Sequence, residues 1–166
     1  MEISNAIAAL DKLVPNPAVG LPDDLFYYIS RTTPLVNVDL LIKDENGRTL
    51  LAWRDDRYSG TGWHVPGGIV RFKETFEERI RKVAETEIGS DISFEFDPAP
   101  IALNQLINKD RDLRGHFISV LYKCFVPSRF VPENKGLSPE DAGYLRWHDH
   151  CPSNLIKYHE IYRAFI

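Results

Sequence analysis

Gly67, Gly68, Glu74 and Glu87 lie in one stretch, GGIVRFKETFEERIRKVAETEIG, from Gly67 to Gly89. Residues of these types can hold a hard cation. A carboxylate supplies one oxygen, and glycine lets a main-chain oxygen approach the ion closely. Not every acid in the stretch is a candidate. Phe76, Ile80, Val83, Ala84 and Ile88 recur at helical spacing and form the expected buried stripe. Glu78, Arg81, Lys82 and Glu85 fall on or near the opposite side. Glu77, Glu78 and Glu85 therefore read as solvation. Glu87 stands four residues after Val83 and seven after Ile80, so it shares the apolar edge. A carboxylate there is unfavourable unless a cation or hydrogen-bond donors satisfy it. That makes Glu87 the candidate ligand.

The elements that must position it are legible nearby. Thr75 with Glu78 three residues on forms a capping box, so a helix starts there. Gly89 is the expected stop. Upstream, Gly67-Gly68 reads as a tight turn after Trp63-His64-Val65-Pro66, and Ile69 to Phe72 as a short extended lead.

The stretch resembles the box of the Nudix hydrolases. Gly68, Glu74, Glu87 and Gly89 fall in its register, and Lys82 stands where that family has arginine. Val83 and Thr86 replace two of its metal-binding glutamates. A box that keeps only the last of these is similar to that of the GDP-mannose mannosyl hydrolase branch. Thr33-Pro34-Leu35-Val36 with Asp39, and Trp63 to Gly68, also resemble that branch, and the resemblance runs from about Ser30 to Trp147.

The resemblance implies an α/β fold, the Nudix-type α/β/α sandwich with a mixed central sheet. Residues 30–166 would form the Nudix hydrolase domain and 1–29 an N-terminal helical arm. It also implies a Mg²⁺-dependent hydrolase of a nucleotide-sugar substrate. Its metal contacts would be Gly67, Glu87 and Asp141, with Glu140 adjacent and able to substitute. Asp39 and Arg54 would contact substrate, and Arg54 would assist the diphosphate. An arginine suits that role because its planar donor fork matches phosphate oxygens in pairs. A single ion favours attack of water at the sugar carbon, with a nucleoside diphosphate departing. The branch has its catalytic histidine where this chain has Ala142. Glu140, Asp141, His116, His148 and His150 remain as alternatives for the base. Ile69 and Phe117 replace two further polar contacts of the branch. Two other readings stay open: cleavage of the diphosphate itself, and a module that binds a nucleotide without turning it over.

The bulk properties fit this frame. The chain of 166 residues, 43% hydrophobic and 27% charged, suits one soluble domain. A net charge of −4 with no Lys/Arg run argues against nucleic acid. Cys124 and Cys151 lack metal-type spacing and read as free thiols. With no signal-peptide pattern and no long apolar run, the expectation is a cytoplasmic protein away from membranes.

The remaining elements follow in order. Met1 to Leu13 is helical in pattern, Val14 to Pro22 is a broken linker, and Leu25 to Ser30 is a second short helix capped by Asp23 or Asp24. This arm either covers the domain or forms a homodimer contact. Strands are expected at Leu35 to Lys43, Thr49 to Arg54, Ile92 to Phe96, Pro100 to Ile107, His116 to Val126 and Leu145 to His148. Asp55 to Gly62 reads as a polar loop, with Arg57 within reach of a diphosphate. Asn108 to Gly115 is a charged turn, and Asn154 to Phe165 a terminal helix.

Overall fold

The computed structural model describes residues 2–90 and 92–166. Two helices come first, α1 (Ile3–Leu13) and α2 (Asp23–Ser30). Strands β1 (Leu35–Lys43), β2 (Thr49–Asp56), β3 (Gly60–His64) and β4 (Gly67–Ile69) precede helix α3 (Phe76–Glu87). Strands β5 (Glu95–Phe96), β6 (Ala102–Ile107), β7 (His116–Phe125) and β8 (Leu145–His148) follow. All eight strands join one mixed sheet, with β1 and β7 as its parallel centre. No described helix is long and apolar enough to cross a membrane.

Alternation in β1 explains the layers. Val38, Leu40 and Ile42 pack with Ile80, Val83 and Ala84 of α3. Leu41, between them, packs on the opposite face with Trp53, Trp63, Leu155 and Tyr162. A strand buried on both faces needs this apolar content at both parities. The expected α/β/α layering is present, with a short C-terminal turn in place of one helix.

Helix α3 starts as its sequence dictates. The Thr75 hydroxyl accepts from Glu78 N–H, and the Glu78 carboxylate accepts from Thr75 N–H at 2.7 Å. Arg81–Glu77 and Lys82–Glu85 are exposed pairs that add little stability. Phe76 departs from the expected stripe: at the first position of α3 it is left exposed, its ring 6.2 Å from that of Tyr122. Arg79 is buried and pairs with Glu74 at 2.7 Å, which ties the box's first acid to the helix.

Other expectations are corrected by backbone pairing. Gly67 and Gly68 are extended, not a turn, because β4 pairs antiparallel with β1, Asp39 opposite Gly67. A Cβ on Gly67 would overlap the Asp39 carboxylate, and one on Gly68 would lie 2.7 Å from Val83 Cγ2. Asp55 to Gly62 is a tight hairpin. Asp56 accepts from Tyr58 and Ser59 N–H, both at 2.7 Å, and Thr61 pairs opposite Asp55. The fifth strand is shorter than Ile92 to Phe96. The terminal helix is reduced to a 3₁₀ turn over Lys157–Tyr162. Its predicted start is drawn into the sheet instead: Trp63 N–H donates to Asn154 C=O and Ile156 N–H to Trp63 C=O.

Tyr162 is fully buried, and its hydroxyl donates to Asp39 Oδ2 at 2.7 Å. Replacing it with Phe leaves that oxygen short of a donor. Tyr162→Phe should cost about 1–3 kcal/mol. Urea unfolding checks this, and an unchanged midpoint would remove the bond from the fold's support.

Candidate active site

A cavity of about 200 Å³ opens beside the β1–β4 pairing. Its floor is Asp39, which is 2% exposed. Asn37 Nδ2 donates to Asp39 Oδ1 at 2.7 Å, and the Ser119 hydroxyl and Tyr162 Oη donate to Oδ2. These donors come from β1, β7 and the C-terminal turn, so the Asp39 carboxyl group is held in place by three parts of the chain. Ile69 and Phe117 line the cavity as an apolar wall.

The cationic side is built by Arg54, Arg111 and Arg114. Arg54, near the end of β2, has its guanidinium 3.6 Å from Asp56 and a long 3.4 Å contact to the Ser59 hydroxyl. Its charge reaches widely. It acts on Glu87, His64, His159 and Arg114. Arg111 and Arg114 come from the turn between β6 and β7. Arg114 is in the left-handed region at φ 53°.

Two buried histidines stand beside this group. His64 Nδ1 lies 2.7 Å from Ala52 C=O, an acceptor, so Nδ1 carries the proton and Nε2 the lone pair. His159 Nδ1 accepts from Val65 N–H at 3.0 Å. Burial pulls both below the usual imidazole range, His159 to about 4, so both are neutral near pH 7.

Glu87 does not line the cavity, but the charge of Arg54, which does, acts on it. Burial raises its carboxyl above the usual range, and the Arg54 charge opposes that rise. Among the described residues it has neither a side-chain hydrogen bond nor an ion pair. A half-buried carboxylate without a donor fits one hard cation. Val83 is instead part of the core, and the Thr86 hydroxyl donates to Lys82 C=O. Among the described residues no three His, Cys, Asp or Glu side chains are grouped to hold a metal. The donor set therefore suits a single ion whose shell comes mainly from water and substrate.

Of the residues singled out in the sequence, Asp39, Arg54 and Gly67 line the cavity. Glu140 and Asp141 are exposed outside it, and the Asp141 carboxylate accepts from Ser138 N–H at 2.6 Å. Arg57 is exposed and stacks on Tyr58 at 4.6 Å. His116, His148 and His150 do not line the cavity; His148 packs edge-on to Trp63 instead. Sequence reasoning missed Arg111, Arg114, Ser119 and the two buried histidines. Only the β6–β7 pairing, which aims the Asn108–Gly115 turn at the cavity, reveals the two arginines.

The family model described as the NUDIX domain matches residues 33–162. The chain belongs to the Nudix family. Nudix hydrolases act on nucleotide derivatives and generally use divalent metals such as Mg²⁺. The "Low-salt glycan biosynthesis protein Agl8" of Haloferax volcanii is 39% identical over 79 residues, 48% of this chain and 50% of that protein. The "ADP-ribose pyrophosphatase" of Methanocaldococcus jannaschii is 30% identical over 99 residues, 60% of this chain and 55% of that protein. The chain thus spans about half the length of these curated relatives. A solved MutT Nudix hydrolase from Burkholderia pseudomallei superposes with a TM-score of 0.59 at 18% identity, covering 81% of this chain and 98% of that one. That likeness concerns the Nudix fold alone.

Two outcomes follow from the buried titratable groups. A carboxyl raised by burial destabilises the fold when charged, above its folded pKa, and the penalty vanishes below the ordinary glutamate range. Glu87→Gln should therefore raise the melting temperature of metal-free protein at pH 7–8, with the difference closing as the pH falls. The same variant should lose any melting shift given by Mg²⁺. Equal Mg²⁺ shifts in both proteins would remove Glu87 from the ion. The depressed His159 acts in the other direction: its contribution is complete above about pH 6.5 and is lost as the pH falls toward 4. Melts should lose about 1.4 kcal/mol per pH unit from this group across that window. His159→Asn should flatten the slope.

Proposed function

We propose that the chain hydrolyses a nucleoside diphosphate sugar, GDP-mannose or a close relative, releasing the nucleoside diphosphate and free sugar. One observation carries this reading. A single cavity pairs Arg54, a cation for the diphosphate, with a buried polar floor at Asp39 and Ser119 suited to sugar hydroxyls, and the Arg54 charge acts on Glu87. A cavity of about 200 Å³ is below the usual ligand-pocket range of about 300–1,000 Å³. It suits the diphosphate and sugar end, with the nucleobase outside. The glycan-biosynthesis name of the Haloferax relative is in keeping with a sugar nucleotide.

Glu87 with the Gly67 main chain would hold one Mg²⁺, which neutralises diphosphate charge when bound. Asp141 or Glu140 would join only if their loop turned inward. Arg54 places its fork where negative charge grows on the departing diphosphate, and fixed donors aimed at developing charge lower such barriers strongly. Guanidinium groups that stabilise charge on a departing nucleoside diphosphate support attack at the sugar carbon, where that diphosphate is the leaving group. The reading includes a cytoplasmic homodimer, for which the exposed apolar residues Ile3, Ile7 and Leu13 of α1 provide a surface.

A second reading is cleavage of the diphosphate itself, and the pyrophosphatase relative favours it. Turnover of a panel of nucleotide sugars with Mg²⁺ in ¹⁸O-water separates the two. Label in the free sugar supports attack at carbon; label in phosphate transfers the chain to the second reading. Tight nucleotide binding without turnover of any panel member would sink both. Arg54→Gln is expected to lower kcat/KM about 100-fold, and a change under threefold would take Arg54 out of the reaction.

A further inference from the structure

The turn between β6 and β7 is built at a conformational cost that the fold does not explain. Arg114 occupies the left-handed region, which disfavours a residue with a Cβ. A Cβ on the next residue, Gly115, would overlap Arg111 C=O, so the chain folds back tightly there. The Arg114 N–H donates to the Ser30 hydroxyl at 3.2 Å, which fastens the turn to the end of α2. These features fix where two guanidinium groups point.

Neither guanidinium has a carboxylate partner among the described ion pairs. Arg114 is held by aromatic faces, 5.1 Å from the Tyr58 centroid and 6.0 Å from that of Phe26. Its Nε is buried with no hydrogen-bond acceptor. Burial and then the Arg54 charge both act against its ionisation. Arg111 lies 4.8 Å from the Tyr158 centroid and donates to Arg114 C=O, at 3.3 Å. Stacking leaves the in-plane donors of a guanidinium free for an anion. Facing them, Asp39 already has three donors of its own.

Arg54, Arg111 and Arg114 thus bring three positive charges to one cavity, in a chain whose formal net charge is −4. Like charges gathered in a partly desolvated site are unfavourable until an anion joins them. We propose that Arg111 and Arg114 form, with Arg54, a guanidinium clamp that binds a diphosphate group without any divalent ion. Among the described residues Glu87 has no side-chain partner and feels the Arg54 charge, and an ion held there would supply further charge neutralisation to the diphosphate. This deepens the reading above by assigning diphosphate recognition to the β6–β7 turn.

Inorganic pyrophosphate tests the clamp directly, whatever nucleotide or sugar the enzyme takes. Calorimetric titration in EDTA should give an affinity within about threefold of that in Mg²⁺. Arg114→Gln and Arg111→Gln should each weaken binding in EDTA by about 10- to 100-fold. Arg81→Gln, on the exposed side of α3 and outside the cavity, should leave it unchanged. Arg114→Lys should fall between, since it keeps the charge and loses the fork. Thermal melts verify folding, and Arg111→Gln decides the matter if Arg114→Gln does not fold. Binding that requires Mg²⁺, or full affinity in both glutamine variants, overturns the clamp. A clamp that holds while no nucleotide sugar is turned over would reject only the proposed reaction.

Discussion

One buried carboxylate organises the molecule around its cavity. Asp39 lies in the central strand and is almost wholly buried, where an unsatisfied carboxylate is very costly. The fold meets that constraint with Asn37 from the same strand, Ser119 from its parallel neighbour and Tyr162 from the C-terminal turn. It also leaves no room for a Cβ at position 67, which explains one glycine of the pair. Four distant stretches of sequence are thereby fixed relative to one another. The cavity is the space left beside them.

Around that floor the charges are segregated. The Asp39 carboxyl oxygens are taken up by its donors, whereas the guanidinium groups of the rim keep most of their donors for a ligand. The histidines between them are neutral and contribute shape and hydrogen bonds instead of charge. Val83 illustrates the trade made in the box: a position that carries an acid elsewhere in the family here extends the apolar core against Gly68. The helix gains packing, and the metal side of the site is left with Glu87.

Local rules carried much of the fold into the sequence. The Thr75–Glu78 box sets the start of α3, and the β-rich runs Leu35–Lys43 and Leu145–His148 form β1 and β8 with the end residues expected. Local rules failed where long-range pairing decided the backbone. Gly67-Gly68 has turn composition but is pulled straight by β1. Residues 154–156 have helical spacing but are taken by hydrogen bonds to Trp63. The site was legible in the same proportion. Asp39, Arg54 and Gly67 were readable because a family register places them, and all three line the cavity. Arg111 and Arg114 were hidden in a stretch whose composition says only that it is a turn.

The way Asp39 is held has a consequence for local opening. Its partners belong to the innermost strands and to a fully buried tyrosine, so the amides of the floor exchange with solvent only when the sheet itself opens. The turn that carries the rim arginines is held by other means, one hydrogen bond to the end of α2 and the aromatic faces under Arg114. One side of the cavity thus rests on the sheet, and the other on a loop. An anion held between them would tie the loop to the sheet.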